Sequence, residues 1–159
     1  MQTIMITGCS SGFGLETARY FLEQGWKVIA TMRAPQEGVL PASDRLRLVR
    51  LDVTSAQSIA EAIAEVGEID VLVNNAGVGM LNALEGAPRE AIANLFATNT
   101  LGTIAMTQAV IPRFRARRSG TIVNITSAVT LQPMPLLAVY IASKAAVNAF
   151  TESLALELR

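Results

Sequence analysis

Short apolar runs alternate along this chain with longer segments of helical period. Residues 3–7, TIMIT, read as a buried strand. Residues 12–24 follow as a helix, with Leu15, Ala18 and Leu22 on one face and Gly25 as its stop. Residues 26–31, WKVIAT, read as a second strand, and after a loop containing Pro and Gly, 46–51 (LRLVRL) reads as a third. The two arginines of that run place it at a sheet edge. Thr54-Ser55-Ala56-Gln57 has the form of a capping box, followed by a stripe of Ile59, Ile63 and Val66. Residues 69–73 (IDVLV) make a fourth strand and 120–125 (GTIVNI) a fifth, with two helices, 88–98 and 100–117, between them. A further helix runs from about 140 to the last residue.

Strands separated by helices of this length pair in parallel through right-handed crossovers, with helices on both faces. In such an α/β sheet the ligand sits beyond the carboxyl ends of the strands, where the strand order switches. No internal repeat, low-complexity tract or linker interrupts the pattern, so residues 1–159 are expected to form one domain.

Composition narrows the chemistry. The chain is 51% hydrophobic and carries 13 basic and 13 acidic residues, so charge gives no reason to expect nucleic acid or an anionic membrane as partner. No apolar run approaches the roughly 20 residues that span a bilayer. Met1-Gln2-Thr3 lacks the basic leader of a signal peptide. Cys9 is the only cysteine, which fits a reducing, cytoplasmic location. The absence of histidine removes Ser-His-Asp and Cys-His catalysis and argues against a zinc site; no metal is expected. An acid or base must then be a carboxylate, Lys, Tyr or a thiol. Arg113, Arg115, Arg117 and Arg118 form the one charge run, and read as a solvated helix end that complements the macrodipole.

Residues 7–14, TGCSSGFG, lie between a predicted strand and a predicted helix. Gly8 allows a turn that a β-carbon would obstruct. Gly12 and Gly14 let a pyrophosphate approach the backbone and let the helix pack on the strand, and the helix N-terminus favours phosphate. Further polar stretches follow in order: Asp52-Val53 after the third strand, Asn74-Asn75-Ala76-Gly77 after the fourth, Asn99 in ATNTLG, Ser127 after the fifth, and Tyr140 with Lys144 one helical turn apart. Singly, each has a plain structural reading. Tyr140 and Lys144 can be packing plus a snorkelling ammonium, Ser127 a turn residue and Asn99 an N-cap.

Together, this order and spacing resemble the short-chain dehydrogenase/reductase family, over essentially the whole chain. The glycine turn resembles its T-G-x-x-x-G-x-G motif, 74–77 its NNAG, and Tyr140-x-x-x-Lys144 its Tyr-x-x-x-Lys. The resemblance implies a Rossmann-like, doubly wound parallel sheet in three αβα layers with about five strands. It implies a nicotinamide cofactor held by Gly8, Ser10, Ser11, Gly12, Phe13, Gly14, Asp52, Val53, Asn75, Ala76 and Gly77, with Tyr140 and Lys144 against it as well. It also implies a catalytic set of Asn99, Ser127, Tyr140 and Lys144 acting on a small alcohol or carbonyl. The likeness of GCSSGFG and VIATMR to steroid- and retinol-type members points to a lipophilic substrate.

The second strand ends VIATMR, with Thr31 where NAD-preferring sheets carry an acid for the ribose 2′-hydroxyl. Arg33, two residues on, can pair with a 2′-phosphate, and Ser10 can add a hydroxyl, so NADP is expected over NAD. Tyr140 would carry the proton. Its ordinary pKa of about 10 is too high for a shuttle near neutrality, and the charge on Lys144 favours its phenolate. Ser127 would hydrogen-bond the substrate oxygen. By resemblance, Lys144 also holds the nicotinamide ribose, and Asn99 anchors a water in a proton relay to it.

The chain stops at LALELR, whereas family members continue with further strands, helices and a loop over the substrate. It is therefore expected to be a shortened form whose fifth strand is an edge. It is also expected to self-associate as a homo-oligomer through the helices at 100–117 and 140–158. The alternative to an active oxidoreductase is a catalytically idle nucleotide-binding or interaction module.

Overall fold

The computed structural model of the chain describes residues 1–158. Five strands form one parallel sheet: β1 (Thr3–Thr7), β2 (Lys27–Met32), β3 (Leu46–Arg50), β4 (Val71–Asn74) and β5 (Thr121–Asn124), in the order β3-β2-β1-β4-β5. The pairings run in continuous register, with Ile6 opposite Ala30 on one side and Val73 on the other. The order reverses at β1, so the switch point lies between β1 and β4.

Period-two alternation sorts the strand residues onto two faces. Ile4, Ile6, Val28, Ala30 and Val73 pack with Ala18 and Leu22 of α1 (Gly12–Glu23). Met5, Ile29, Val49 and Leu72 face the opposite layer, formed by α2 (Ala56–Val66) and α4 (Gly102–Arg117) through Ile63, Met106, Val110 and Phe114. This is the expected Rossmann-like, doubly wound sheet between helical layers. As anticipated, β3 lies at one edge, its Arg47 reaching out to Glu65 at 3.1 Å. Gly25, at φ +83°, follows the C-cap of α1, also as expected. β5 forms the other edge.

Several local expectations are corrected. The capping box at 54–57 is not formed. Ser55, not Thr54, caps α2, accepting from the Ser58 amide at 3.2 Å, while Gln57 turns outward to Glu61. Thr54 is drawn away by the Asp52 carboxylate, which accepts from both its amide and its hydroxyl. The two helices between β4 and β5 are joined. α3 (Arg89–Phe96) runs through one wide π-type turn, Ala97–Leu101, into α4. Gly102 makes this possible, since a β-carbon there would lie 2.7 Å from a Val53 methyl.

The arginine run is also more than a solvated helix end. Arg113 donates to the carbonyls of Ile63 (2.9 Å) and Gly67 (2.7 Å), and Arg117 donates to Ile69 O beside Glu68 and Asp70. Their planar, many-donor heads satisfy carbonyls left open where α2 ends. The final helix, α5 (Ala138–Glu157), begins two residues before Tyr140, after Pro133 and Pro135. The residue with which it was expected to end, Arg159, lies outside the described residues.

Candidate active site

The carboxyl ends of all five strands open onto one cleft of about 980 Å³. Its walls are the turn after β1, the ends of β2 and β3, residues 75–79 after β4, residues 125–128 after β5, and Tyr140 and Lys144 from α5. Two predicted residues, Gly14 and Asn99, stand behind these walls and act through their neighbours.

The glycine turn is built by close approach. Gly8 sits at φ +76°, and a β-carbon on it would lie 2.8 Å from Ala76 Cα. One on Gly14 would meet Gly8 O at 2.3 Å and Asn75 Nδ2 at 2.4 Å. Gly12, at φ +59°, has nothing near it and faces the cleft with Ser10, Ser11 and Phe13. Ser11 caps α1 without a side-chain bond, and the first turn carries no acid. The leading N–H groups therefore keep their positive potential.

Thr7 closes the switch point, a role that sequence reading missed. Its buried hydroxyl accepts from the amides of Asn75 (3.0 Å) and Ala76 (2.9 Å), and Asn75 Nδ2 donates back to Thr7 O (2.9 Å) and Gly8 O (3.2 Å). The available signal was a hydroxyl ending an otherwise apolar strand, where an unpaired polar group would be costly.

The end of β2 differs from expectation. The strand continues to Met32, paired with Arg50, so Thr31 lies within the pairing and not at its end. Its buried hydroxyl donates to Ile6 O at 3.1 Å. Met32 and Arg33, not Thr31, face the cleft where an acid would sit. Across from them, Asp52 Oδ1 accepts from the Thr54 hydroxyl (2.7 Å) and amide (2.9 Å). Those bonds outweigh the opposing effect of burial and, with a lesser contribution from the charges of Arg33 and Arg50, hold its carboxyl below the ordinary value.

On the other side, the π-type turn carries Asn99, which is fully buried and is not a helix cap. Its carboxamide grips one backbone unit, accepting from Val78 N at 2.8 Å and donating to Val78 O at 2.9 Å. It also donates to Ser143 Oγ (3.2 Å), which donates to Tyr140 O (2.7 Å), while Thr100 donates to Ser143 O (2.9 Å). Ser143 and Thr100 were not singled out from the sequence. Their placement depends on the wide turn, which no local pattern announces.

Lys144 does not snorkel. It is 5% exposed, and its ammonium donates to Ile125 O at 2.8 Å. A methyl placed on Gly77 would lie 3.4 Å from its Nζ and 3.3 Å from Asn99 Oδ1, so these three groups converge. Burial lowers the pKa of Lys144 from the ordinary lysine value. Tyr140 is half-buried on the cleft wall. Ser127 caps a short 3₁₀ turn, Ala128–Thr130, with the Val129 amide donating to its Oγ at 3.4 Å. The segment after it is sparingly charged, yet Leu131 is 86% exposed and Met134 and Leu136 also face solvent. Cys9 leaves the list of acid–base candidates: burial pushes its thiol up to about 12, and it donates to Ile6 O.

The model of the family "short chain dehydrogenase" matches residues 2–159. Bovine retinol dehydrogenase 8 is 41% identical over 169 aligned residues, covering 99% of this chain and 54% of the relative. A closed form of serine dehydrogenase complexed with NADP+ superposes with a TM-score of 0.92 at 35% identity, covering 99% of this chain and 67% of that one. 4-Hydroxyisoleucine dehydrogenase complexed with NADH and succinate superposes with a TM-score of 0.87 at 28% identity, covering 97% and 72%. The chain spans about half the length of curated relatives, 54% and 58% for two of them. No helix among the described residues is long and apolar enough to cross a membrane. With its nucleotide cleft, glycine turn and Tyr-x-x-x-Lys helix on one parallel sheet, the chain belongs to the short-chain dehydrogenase family of oxidoreductases.

Proposed function

We propose that this chain is an NADP(H)-dependent oxidoreductase that interconverts an alcohol and a carbonyl compound, with Tyr140 as general acid and base. The observation that carries the reading is that Tyr140, Lys144 and Ser127 line the same cleft as the glycine turn. The residues present fit a dinucleotide. Gly8 and Gly14 form a cradle that β-carbons would fill, and the start of α1 offers unpaired N–H groups to a pyrophosphate. Asp52-Val53 and Asn75-Ala76-Gly77 would border the adenine and nicotinamide ends, and Arg33 would pair with a 2′-phosphate. When bound, the nicotinamide supplies or accepts the hydride.

The chain's own groups then handle the oxygen and its proton. Tyr140 donates a proton to the developing alkoxide, or removes one from an alcohol. Lys144, held beside Gly77, stabilises the phenolate by its charge and holds the cofactor ribose. Ser127 donates a hydrogen bond to the substrate oxygen where charge develops. Asn99 places Lys144 through Ser143 and fixes the loop at Val78. Exposed Val78, Leu81, Leu131, Met134 and Leu136 lie on the two loops beside this end of the cleft, which suits a lipophilic substrate. The likeness to a retinol dehydrogenase points the same way. Self-association through α4 and α5 belongs to the same proposal, supported by exposed Leu156 on α5 and Leu101 at the start of α4.

The test is NADPH consumption with a panel of ketones and aldehydes. Tyr140→Phe is expected to lower kcat by roughly 10²–10⁴-fold, the usual worth of positioned acid–base catalysis, with NADPH affinity unchanged. Equal rates for the two proteins would defeat the catalytic reading. The exposure of Leu131 favours one second reading, a nucleotide-binding module without turnover. NADPH binding with no consumption across the panel would select it.

A further inference from the structure

We infer that Thr130 and Asn148 are positioning residues that hold Ser127 in register with Tyr140 and Lys144; the inference rests on the catalytic reading above. α5 is stitched to the segment around β5 at three levels. Thr151 accepts from Asn124 Nδ2 (2.8 Å), and Lys144 donates to Ile125 O (2.8 Å). Between those positions on the helix, Asn148 Nδ2 donates to Thr130 Oγ1 (2.9 Å), and Thr130 Oγ1 donates to Ser127 O (2.8 Å). Residues 144, 148 and 151 share one helix face, the face that continues back to Tyr140.

Only the middle stitch reaches Ser127. The serine needs it, because its own hydroxyl is met by a single long contact, from the Val129 amide at 3.4 Å. Ser127 has an extended backbone, φ −155° and ψ 145°, and leads into one short turn at the sheet edge. The direction of its Oγ then follows its backbone, whose carbonyl accepts from the Thr130 amide within the turn (3.1 Å) and from the Thr130 hydroxyl, the bond that ties it to α5. The relay has a polarity. The threonine hydroxyl accepts from the amide of Asn148, which leaves its single proton for Ser127 O. An aspartate at 148 would reverse the relay. A carboxylate accepts only, so it would take the threonine proton and leave Ser127 O with the Thr130 amide alone.

The experiment compares wild type, Thr130→Val, Thr130→Ser and Asn148→Asp in steady-state carbonyl reduction, NADPH titration and amide hydrogen exchange. Thr130→Val keeps the shape of the side chain and removes both bonds. It is expected to lower kcat about tenfold or more, since displacement of a positioned group by about 1 Å can cost two decades. NADPH affinity stays unchanged, exchange at Val129 and Thr130 speeds up, and Thr130→Ser restores both kcat and protection. Asn148→Asp, which keeps size and folding, gives the same signature as Thr130→Val. Unchanged kcat in Thr130→Val and Asn148→Asp overturns the inference. So does a serine variant as impaired as the valine one, or a loss confined to melting temperature. A wild-type protein without turnover is a failure of the catalytic reading instead, and the exchange data then decide on the relay: equal protection in all four proteins overturns it.

Discussion

The two sides of the cleft are built to different tolerances. At the glycine turn, the Thr7 hydroxyl, the Asn75 amide and the backbones of Gly8 and Ala76 interlock, and a methyl on Gly8 or Gly14 would overlap its neighbours. On the opposite side, the loops at 78–84 and 127–137 meet through a backbone bond from Asn82 N to Leu136 O (2.9 Å), the first anchored at its start by Asn99 and the second by the relay through Thr130. Leu136 there adopts φ +66°, a conformation that costs a leucine about 1–2 kcal/mol. The contrast separates two tasks. A socket for a constant ligand gains from having its ordering cost already met. A wall with few buried contacts can move, which suits one that has to meet a variable ligand.

Gly14→Ala should break the tight side outright. The new methyl points into backbone, so the helix must shift rather than a side chain rotate. Overpacking of this kind costs about 1–3 kcal/mol. Taken at ~2 kcal/mol, it lowers the melting temperature by roughly 4–8 °C in a domain of this size. NADPH binding by titration should be lost at the same time. A variant of wild-type affinity would show that the turn is not a preformed socket.

Arg33→Ser tests what the socket reads. One charge-assisted hydrogen bond is worth about 1.5–3 kcal/mol, and an exposed arginine sits at the low end. The ratio of NADPH to NADH affinity should therefore fall roughly tenfold, from NADPH alone. An unchanged ratio would remove Arg33 as the selecting residue.

The tight side and the sheet were largely legible in sequence, because their signals are local. The strands announced themselves as apolar runs, and Gly8 and Gly14 are required wherever backbone meets backbone. Asp52 and Asn75 also fell on the cleft, at the strand ends where a parallel sheet exposes its loops. What stayed hidden depends on geometry between distant segments. The wide turn at 97–101 follows from joining α3 to α4 and decides what Asn99 touches. Thr31 was misplaced because the strand runs one residue further, pairing Met32 with Arg50, which leaves Thr31 inside the pairing and brings Met32 and Arg33 to the cleft. The arginine run looked like surface charge because the carbonyls that it satisfies belong to another helix. Thr130 and Asn148 carry no signal at all until α5 is laid beside β5.

Lys144 joins the two sides, and pH exposes its burial. Its folded pKa is depressed, so the ammonium gives up its proton at lower pH in the folded chain than in the unfolded one. Between that lowered value and the ordinary one of 10.5, the unfolded chain binds more protons, and stability rises with pH. Cys9 opposes this, since a thiol raised from 9.0 to about 12 costs stability as pH climbs through that range. The difference between wild type and Lys144→Met in denaturant melts isolates the lysine, because Cys9 is common to both. Wild type should gain on the variant as pH rises toward 10.5. A flat difference would mean that the ammonium is not desolvated.

The smallest effect is expected on the loose side. Val78 is 44% exposed, lines the cleft, and is gripped by Asn99 only through its backbone. Val78→Ser leaves that grip intact, and a surface change away from core features stays within about 0.5 kcal/mol of stability. If the loop meets a lipophilic substrate, deleting one methyl and replacing the other by a hydroxyl should weaken its binding by at least ~0.8 kcal/mol, one buried methylene's worth, or about fourfold or more in KM. A short polar carbonyl that does not reach the loop should show no change. The same fourfold rise for both substrates would place Val78 against the reacting centre instead. No change for either would leave the apolar loops outside the substrate's reach. The comparison needs no structural rescue, because the variant alters neither the glycine socket nor the Tyr140 helix.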